Sequence, residues 1–226
     1  MFMAERSSIF DMIGPVMIGP SSSHTAAVVR IGRTAHRLLG QAPDRAEITF
    51  YNSFSRTYEG HGSDRAVVAG LMGFAPDDVR IRDALDLARQ VGMELHFRAV
   101  HHATHLHPNA IRLSLTAGLS HRQVLGISRG GGLISILDID GFACQFAAQA
   151  DTLVITAHDV NGSVAFLASV IAHEACNIAT MTVSRSARND IAKLVLELDS
   201  PIRPLTVEYL RSVSWVQEVV YLHSDQ

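Results

Sequence analysis

Thr152-Leu153-Val154-Ile155-Thr156-Ala157-His158 (TLVITAH) is a β-branched, apolar run that reads as a strand, and the pattern that follows it settles the fold of the last third of the chain. Asn161-Gly162-Ser163 opens a helical stretch through Ala175. Ile178 to Ser184 and Lys193 to Asp199 read as two strands, Pro204 to Val213 as a second helix with proline in its first turn, and Val216 to Leu222 as a last strand. The order βαββαβ is the split βαβ, ferredoxin-like arrangement, with edge strands able to pair with another copy. Gln149-Ala150-Asp151 is the natural boundary, so domains are expected over 1–150 and 151–226. In the turn Asp159-Val160-Asn161-Gly162, between first strand and first helix, a polar side chain can cap the helix and backbone amides can receive a carboxylate. Asp159, Asn161 and Gly162 are therefore ligand-site candidates.

Upstream, Gly19-Pro20-Ser21-Ser22-Ser23-His24-Thr25 hands over to a helical pattern ending near Leu39, with Ala26, Ala27, Ile31, Ala35 and Leu38 as its apolar stripe. Serines are strong N-caps. A helix N-terminus offers unpaired N–H groups and the positive end of the dipole to an anion, and the hydroxyls add donors. A well-capped helix is the plain alternative, yet folding has no need of the titratable His24 inside the cap. Ala46 to Phe54 (AEITFYNSF) reads as a strand. Gly60-His61-Gly62-Ser63-Asp64 then opens a helix through Met72, with Ser63 or Asp64 as the cap. Again a histidine stands where a helix begins, and two such beginnings can face one pocket. A glycine turn with an incidental histidine is the alternative.

Asp83 to Val91 reads as a helix and Met93 to Ala99 as a strand. His101, His102, His105 and His107 follow, ahead of Pro108 and Asn109. Neutral imidazoles are common metal ligands, but no acidic or cysteine partner stands at ligand spacing, so a polar loop is expected, with His107 kept as a site candidate. Ile111 to Thr116, Gln123 to Ser128 and Leu133 to Asp140 read as strands, the last two flanking Arg129-Gly130-Gly131-Gly132. Three glycines suit an anion cradle or a plain turn.

With 226 residues and a net charge of -3, the chain is of ordinary globular composition and gives no electrostatic case for nucleic acid. Cys144 and Cys176 are its two cysteines, without CxxC spacing, which speaks against a disulfide framework or a cysteine metal site. Glu5, Arg6 and Asp11 interrupt the apolar start and no cleavage pattern follows, while other apolar runs are too short for a bilayer. A cytoplasmic protein without membrane or nucleic-acid partners is expected.

The motifs carry a resemblance. Ser8 to Asp11 (SIFD), Ile18 to Thr25 (IGPSSSHT), Gly60 to Asp64 (GHGSD), His107 to Arg112 (HPNAIR) and the triglycine are similar, in order, to the β part of the iron-sulfur-dependent L-serine dehydratases. That domain is related in turn to a substrate-binding regulatory domain of D-3-phosphoglycerate dehydrogenase. Ser63 stands where the family commonly has threonine. The C-terminal part, with its DVNG turn, resembles an ACT domain, a small amino-acid-sensing module. The fold implied is α+β: a mixed α/β serine dehydratase β-type domain followed by a ferredoxin-like ACT domain.

The resemblance implies the β subunit of a two-subunit L-serine ammonia-lyase, converting L-serine to pyruvate and ammonia without pyridoxal phosphate. It implies a [4Fe-4S] cluster held by three cysteines. Two cysteines cannot supply them, which assigns the cluster to a separate α subunit. His61 and then His24 are the candidate bases. Ser21, Ser22, Ser23, Thr25, Ser63, Asp64, His107 and Asn109 are the candidate substrate-binding residues, and Asp159, Asn161 and Gly162 the candidate effector-binding residues, with self-association through the ACT domain. The other reading is a non-catalytic amino-acid-binding regulatory module.

Overall fold

The computed structural model describes residues 17–224. The Ser8 to Asp11 motif and the rest of the charged start lie outside these residues. The chain divides into two compact units, Met1–Ser135 and Ile136–Gln226.

In the first unit a wide π-type turn, Ser22–Ala26, runs into α1 (Ala27–Leu39). There follow β1 (Arg45–Tyr51), α2 (Asn52–Thr57), α3 (Ser63–Leu71), a 3-10 turn (Val79–Asp83), α4 (Ala84–Gln90), β2 (Glu94–Val100), β3 (Ala110–Ala117), β4 (Ser120–Gly130) and the start of β5 (Leu133–Ile139). The strands are ordered β2-β1-β3-β4-β5, with β1 parallel to β2 and antiparallel to β3. Alternation puts Ile48, Phe50, Ile111, Leu113 and Leu115 on one fully buried face, and the expected stripe of α1 is buried as well. At Gly126 of β4 an added Cβ would lie 2.8 Å from Ile31 Cγ2, so the helix rests on strand backbone there.

Helices α1 and α3 meet more closely still. A Cβ at Gly70 would stand 2.2 Å from the Val29 carbonyl oxygen, and one at Gly32 2.5 Å from that of Val67. Two glycines thus let the helices touch backbone to backbone, with their N-terminal ends side by side.

The strand expected through Phe54 stops at Tyr51. Asn52 turns the chain with a positive φ of 51° and Phe54 is buried on α2. The amide of Asn52 explains the turn: it donates to the carbonyls of Ala103 and Leu106 and accepts from the Ala103 N–H, fastening the histidine loop to α2.

The second unit carries the end of β5, the added strand β6 (Phe142–Phe146), β7 (Asp151–His158), α5 (Ser163–His173), β8 (Ile178–Arg185), β9 (Ile191–Leu198), α6 (Pro204–Ser212) and β10 (Val216–Leu222). The last six elements are the expected βαββαβ set, in an antiparallel sheet ordered β10-β7-β9-β8. Leu153, Ile155, Leu167, Ile171, Leu194, Leu196 and Leu210 form its core. Lys193, nearly fully buried, pairs with Asp140 of the β5–β6 turn at 2.7 Å and ties the hairpin to the sheet. The fold is α+β.

Two capping expectations are corrected. Gly62 and Gly162, at φ 67° and 84°, are the N-cap residues of α3 and α5, and among the described residues neither helix has a side-chain cap bond. Asp64 accepts instead from the Arg65 N–H, and Asp159 accepts from the Asn189 N–H and Arg185, which hold its carboxyl below the usual range.

Glu174 is fastened to the start of α6. It accepts from the N–H and guanidinium of Arg203 and from the Thr206 hydroxyl at the start of α6. Arg203 first and Thr206 second lower its pKa from 4.5 to about 2. A carboxyl depressed in the folded state contributes stability above its unfolded pKa and loses it as pH falls towards the folded one. The melting temperature of the parent should therefore exceed that of Glu174→Gln at neutral pH, with the gap closing between about pH 4.5 and 2. Parallel melting curves over that range would refute the assignment.

Candidate active site

The Ser-rich turn is built around Ser21. Its extended backbone, φ -146°, stops the helix, and its Oγ accepts from the His24 N–H at 3.2 Å. The N–H groups of Ser22 and Ser23 lie in the first turn, where helices leave donors without intrahelical acceptors. Ser21 Oγ also lies 3.3 Å from His24 Nδ1. Nε2 of His24 is buried and has no hydrogen-bond partner among the described residues.

The two helix beginnings converge. The imidazoles of His24 and His61 stack with centroids 4.7 Å apart and planes 28° from parallel, and the Phe54 ring meets His24 edge-on at 5.0 Å. Two buried hydroxyls lock this arrangement: Ser63 Oγ donates to the His24 carbonyl at 2.6 Å, and Thr25 Oγ1 to the His61 carbonyl at 3.2 Å. These hydroxyl protons are committed to backbone, so Thr25 and Ser63 act by holding loops together.

The protonation pattern follows from the partners. His61 Nδ1 is 3.2 Å from the Thr57 carbonyl, which can accept but not donate, so in the neutral ring the proton sits on Nδ1 and Nε2 carries the lone pair. Burial, and then the neighbouring His61, push the His24 pKa below the usual imidazole range. Near neutral pH His24 is uncharged.

A recess of about 180 Å³ opens beside His61, lined also by Gly19, Thr25, Gly60, Arg65 and Arg82 among others. The two arginines were not singled out in the sequence. Arg65 directly follows the GHGSD motif and was within reach, whereas Arg82 arrives from the 3-10 turn through tertiary folding. The triglycine lies near Ser23: a Cβ on Gly130 would come 4.0 Å from Ser23 Oγ. Its φ values of 97°, 59° and 84° are open to glycine, and Arg30 Nη1 donates to the Gly132 carbonyl at 2.8 Å.

His107 and Asn109 belong to a second loop cluster. His107 Nδ1 accepts from the Asn109 N–H at 3.1 Å, and burial lowers the His107 pKa. The Pro108 carbonyl between them accepts from the Ser53 N–H of α2. Earlier in the same loop His101 Nδ1 pairs with Ser55 Oγ at 2.9 Å, and His102 and His105 are exposed. Among the described residues no three histidine, cysteine or acidic side chains are grouped as a metal site, and no helix is long and apolar enough to cross a membrane.

The family model of the serine dehydratase beta chain matches residues 8–97. A protein named as a probable L-serine dehydratase, beta chain, of Bacillus subtilis (strain 168) is 40% identical over 195 residues, covering 86% of this chain and 88% of the relative. The L-serine dehydratase, beta chain, of Peptoniphilus asaccharolyticus is 32% identical over 196 residues with the same coverage. L-serine dehydratase 2 of Escherichia coli (strain K12) is 31% identical over 169 residues, 64% of this chain but 36% of that longer protein. Similarity at this level along most of its length, together with the histidine-bearing helix beginnings, means that the chain belongs to the serine dehydratase beta-chain family.

Proposed function

We propose that this chain closes a catalytic pocket shared with a cluster-bearing α subunit, and that the assembled enzyme removes water from L-serine. The enamine so formed tautomerises and is hydrolysed to pyruvate and ammonia. The name beta chain on two relatives supports a partner, and so does the Escherichia coli protein, most of whose length has no counterpart here. The observation that carries the reading is the stacked His24–His61 pair at two adjoining helix starts.

The residues of this chain do not fit a [4Fe-4S] cluster. Cys144 is buried with its thiol pushed up to about 12, and Cys176 is buried with its S–H directed to the Ser200 carbonyl at 3.2 Å. Three thiolates are needed, and the cluster is assigned to the partner, where it would supply Lewis-acid chemistry.

What this chain contributes is proton transfer and orientation. The Cα proton of serine passes to His61 Nε2, the Cα–H electron pair becomes the Cα=Cβ bond of the enamine, and the hydroxyl leaves Cβ with the C–O pair and takes up the proton that His61 received, departing as water. The Ser22 and Ser23 hydroxyls and first-turn N–H groups receive the carboxylate, each such charge-assisted hydrogen bond contributing about 1.5–3 kcal/mol. Thr25 and Ser63 keep the two loops in register, and Ser21 caps its own turn. Asp64 adds a charge at the start of α3, whereas His107 and Asn109 stand in the second loop cluster, fastened to α2. The βαββαβ unit is an ACT-type module for effector sensing or self-association, with the turn at Asp159, Asn161 and Gly162 as the effector seat.

Serine deamination is the direct test. This chain alone should give none, and the same chain mixed with an anaerobically loaded cluster subunit should turn over serine. Serine binding without turnover in the mixture would identify a regulatory module instead.

A further inference from the structure

We propose that Ser21 is a positioning residue which fixes the tautomer of His24, so that His24 Nε2 carries a proton and donates a hydrogen bond to a carboxylate oxygen of the substrate. The inference rests on the dehydratase reading and divides the labour within the histidine pair.

A hydroxyl has one proton to give and two lone pairs to receive. Ser21 Oγ already accepts from the His24 N–H at 3.2 Å, and His24 Nδ1 stands 3.3 Å away from the same oxygen. If the hydroxyl donates to Nδ1, every group in this ring of contacts is satisfied and the imidazole proton moves to Nε2. The reverse arrangement would waste the hydroxyl proton. His61 is fixed in the opposite sense, with its proton on Nδ1 facing the Thr57 carbonyl. The stack therefore presents one acceptor nitrogen, on His61, and one donor nitrogen, on His24.

The donor has no acceptor within the described residues, although Nε2 is buried. Leaving a buried donor unpaired costs about 1–3 kcal/mol, and such groups in native folds have a reason to be there. The acceptor that pairs with it must be small, reaching the nitrogen past the half-buried His61 ring stacked upon it. A carboxylate oxygen fits, and negative charge builds on the carboxylate as Cα loses its proton. A neutral imidazole donor placed there stabilises that charge while keeping its own proton. Burial and the adjacent His61 keep His24 uncharged for the task.

Two substitutions separate tautomer from capping. Threonine and aspartate both cap helices, but aspartate has no proton to give and must accept one from Nδ1–H. Ser21→Thr should keep the 15N NMR signature of a protonated Nε2 on His24 in the full-length chain and, in the reconstituted enzyme, turn over serine well above the rate of Ser21→Asp. Ser21→Asp should keep the melting temperature within a few degrees, move the NMR signature to protonated Nδ1, and lower kcat at least tenfold with a smaller change in KM. The NMR measurement needs no partner and stands apart from turnover. A parent chain with Nδ1 protonated, or a Ser21→Asp enzyme of parental kcat, would overturn the proposal. An inactive parent mixture would overturn the dehydratase reading and leave the tautomer result standing.

Discussion

Replacing His61 by alanine should lower kcat of the reconstituted enzyme by about 10²- to 10⁴-fold, the range that a positioned general base contributes. The fold should survive the change. The residue meets its neighbours through main-chain groups as well: its carbonyl accepts from Thr25 and its N–H donates to the Thr57 carbonyl at 3.0 Å, and alanine retains both. What disappears is a half-buried ring with a lone pair on Nε2. His61→Gln keeps polarity without basicity and should be equally impaired. Thermal melts of the chain should move little, while kcat drops with a modest change in KM. Turnover near the parental rate in either variant would take His61 out of the base role.

The largest effect on stability is expected at Gly70. The Cβ of Gly70→Ala would lie 2.2 Å from the Val29 oxygen, 2.7 Å from the Arg33 nitrogen and 2.9 Å from the Gly32 Cα. All three are backbone atoms, unable to rotate aside, so α1 and α3 must separate. Overpacking of this kind costs about 1–3 kcal/mol and occasionally more. Separation also strains the Ser63–His24 and Thr25–His61 hydrogen bonds, so serine turnover should fall with stability although Gly70 stands at the opposite end of α3 from the site. Gly60→Ala is the control, since the nearest atom to its Cβ is the Thr57 oxygen at an ordinary 3.8 Å. Urea midpoints should fall for Gly70→Ala and stay near the parent for Gly60→Ala. Equal midpoints for Gly70→Ala and the parent would show that the crossing can relax.

The βαββαβ unit was legible because its strands are β-branched, its helices long enough to show a period, and its turns carry Gly, Asn and Pro. The convergence of His24 and His61 was open to the sequence as two glycine- and serine-rich helix beginnings, but their stacking depends on Gly32 and Gly70, whose closeness is a tertiary fact. Phe54 was read as strand because Thr49-Phe50-Tyr51 has strong β character. The left-handed turn at Asn52, held by three hydrogen bonds into a loop fifty residues away, overrides that propensity. Strand β6 is five residues long and shows too little alternation to be seen. At both Ser63 and Asn161 a good capping residue stands beside a glycine, and the chain's need for positive φ gave the cap to the glycine. Hydroxyl inventories were visible; which hydroxyls are spent on carbonyls was not.

The sealed sulfurs have a practical corollary. Cys144 stays protonated far above physiological pH and both side chains are shut away from solvent, so neither is a ready target for alkylating reagents or dissolved oxygen. This polypeptide should tolerate purification on the open bench. Where a mixture decays in air, replenishing it with fresh protein of either kind identifies the perishable component, and this one should make no difference.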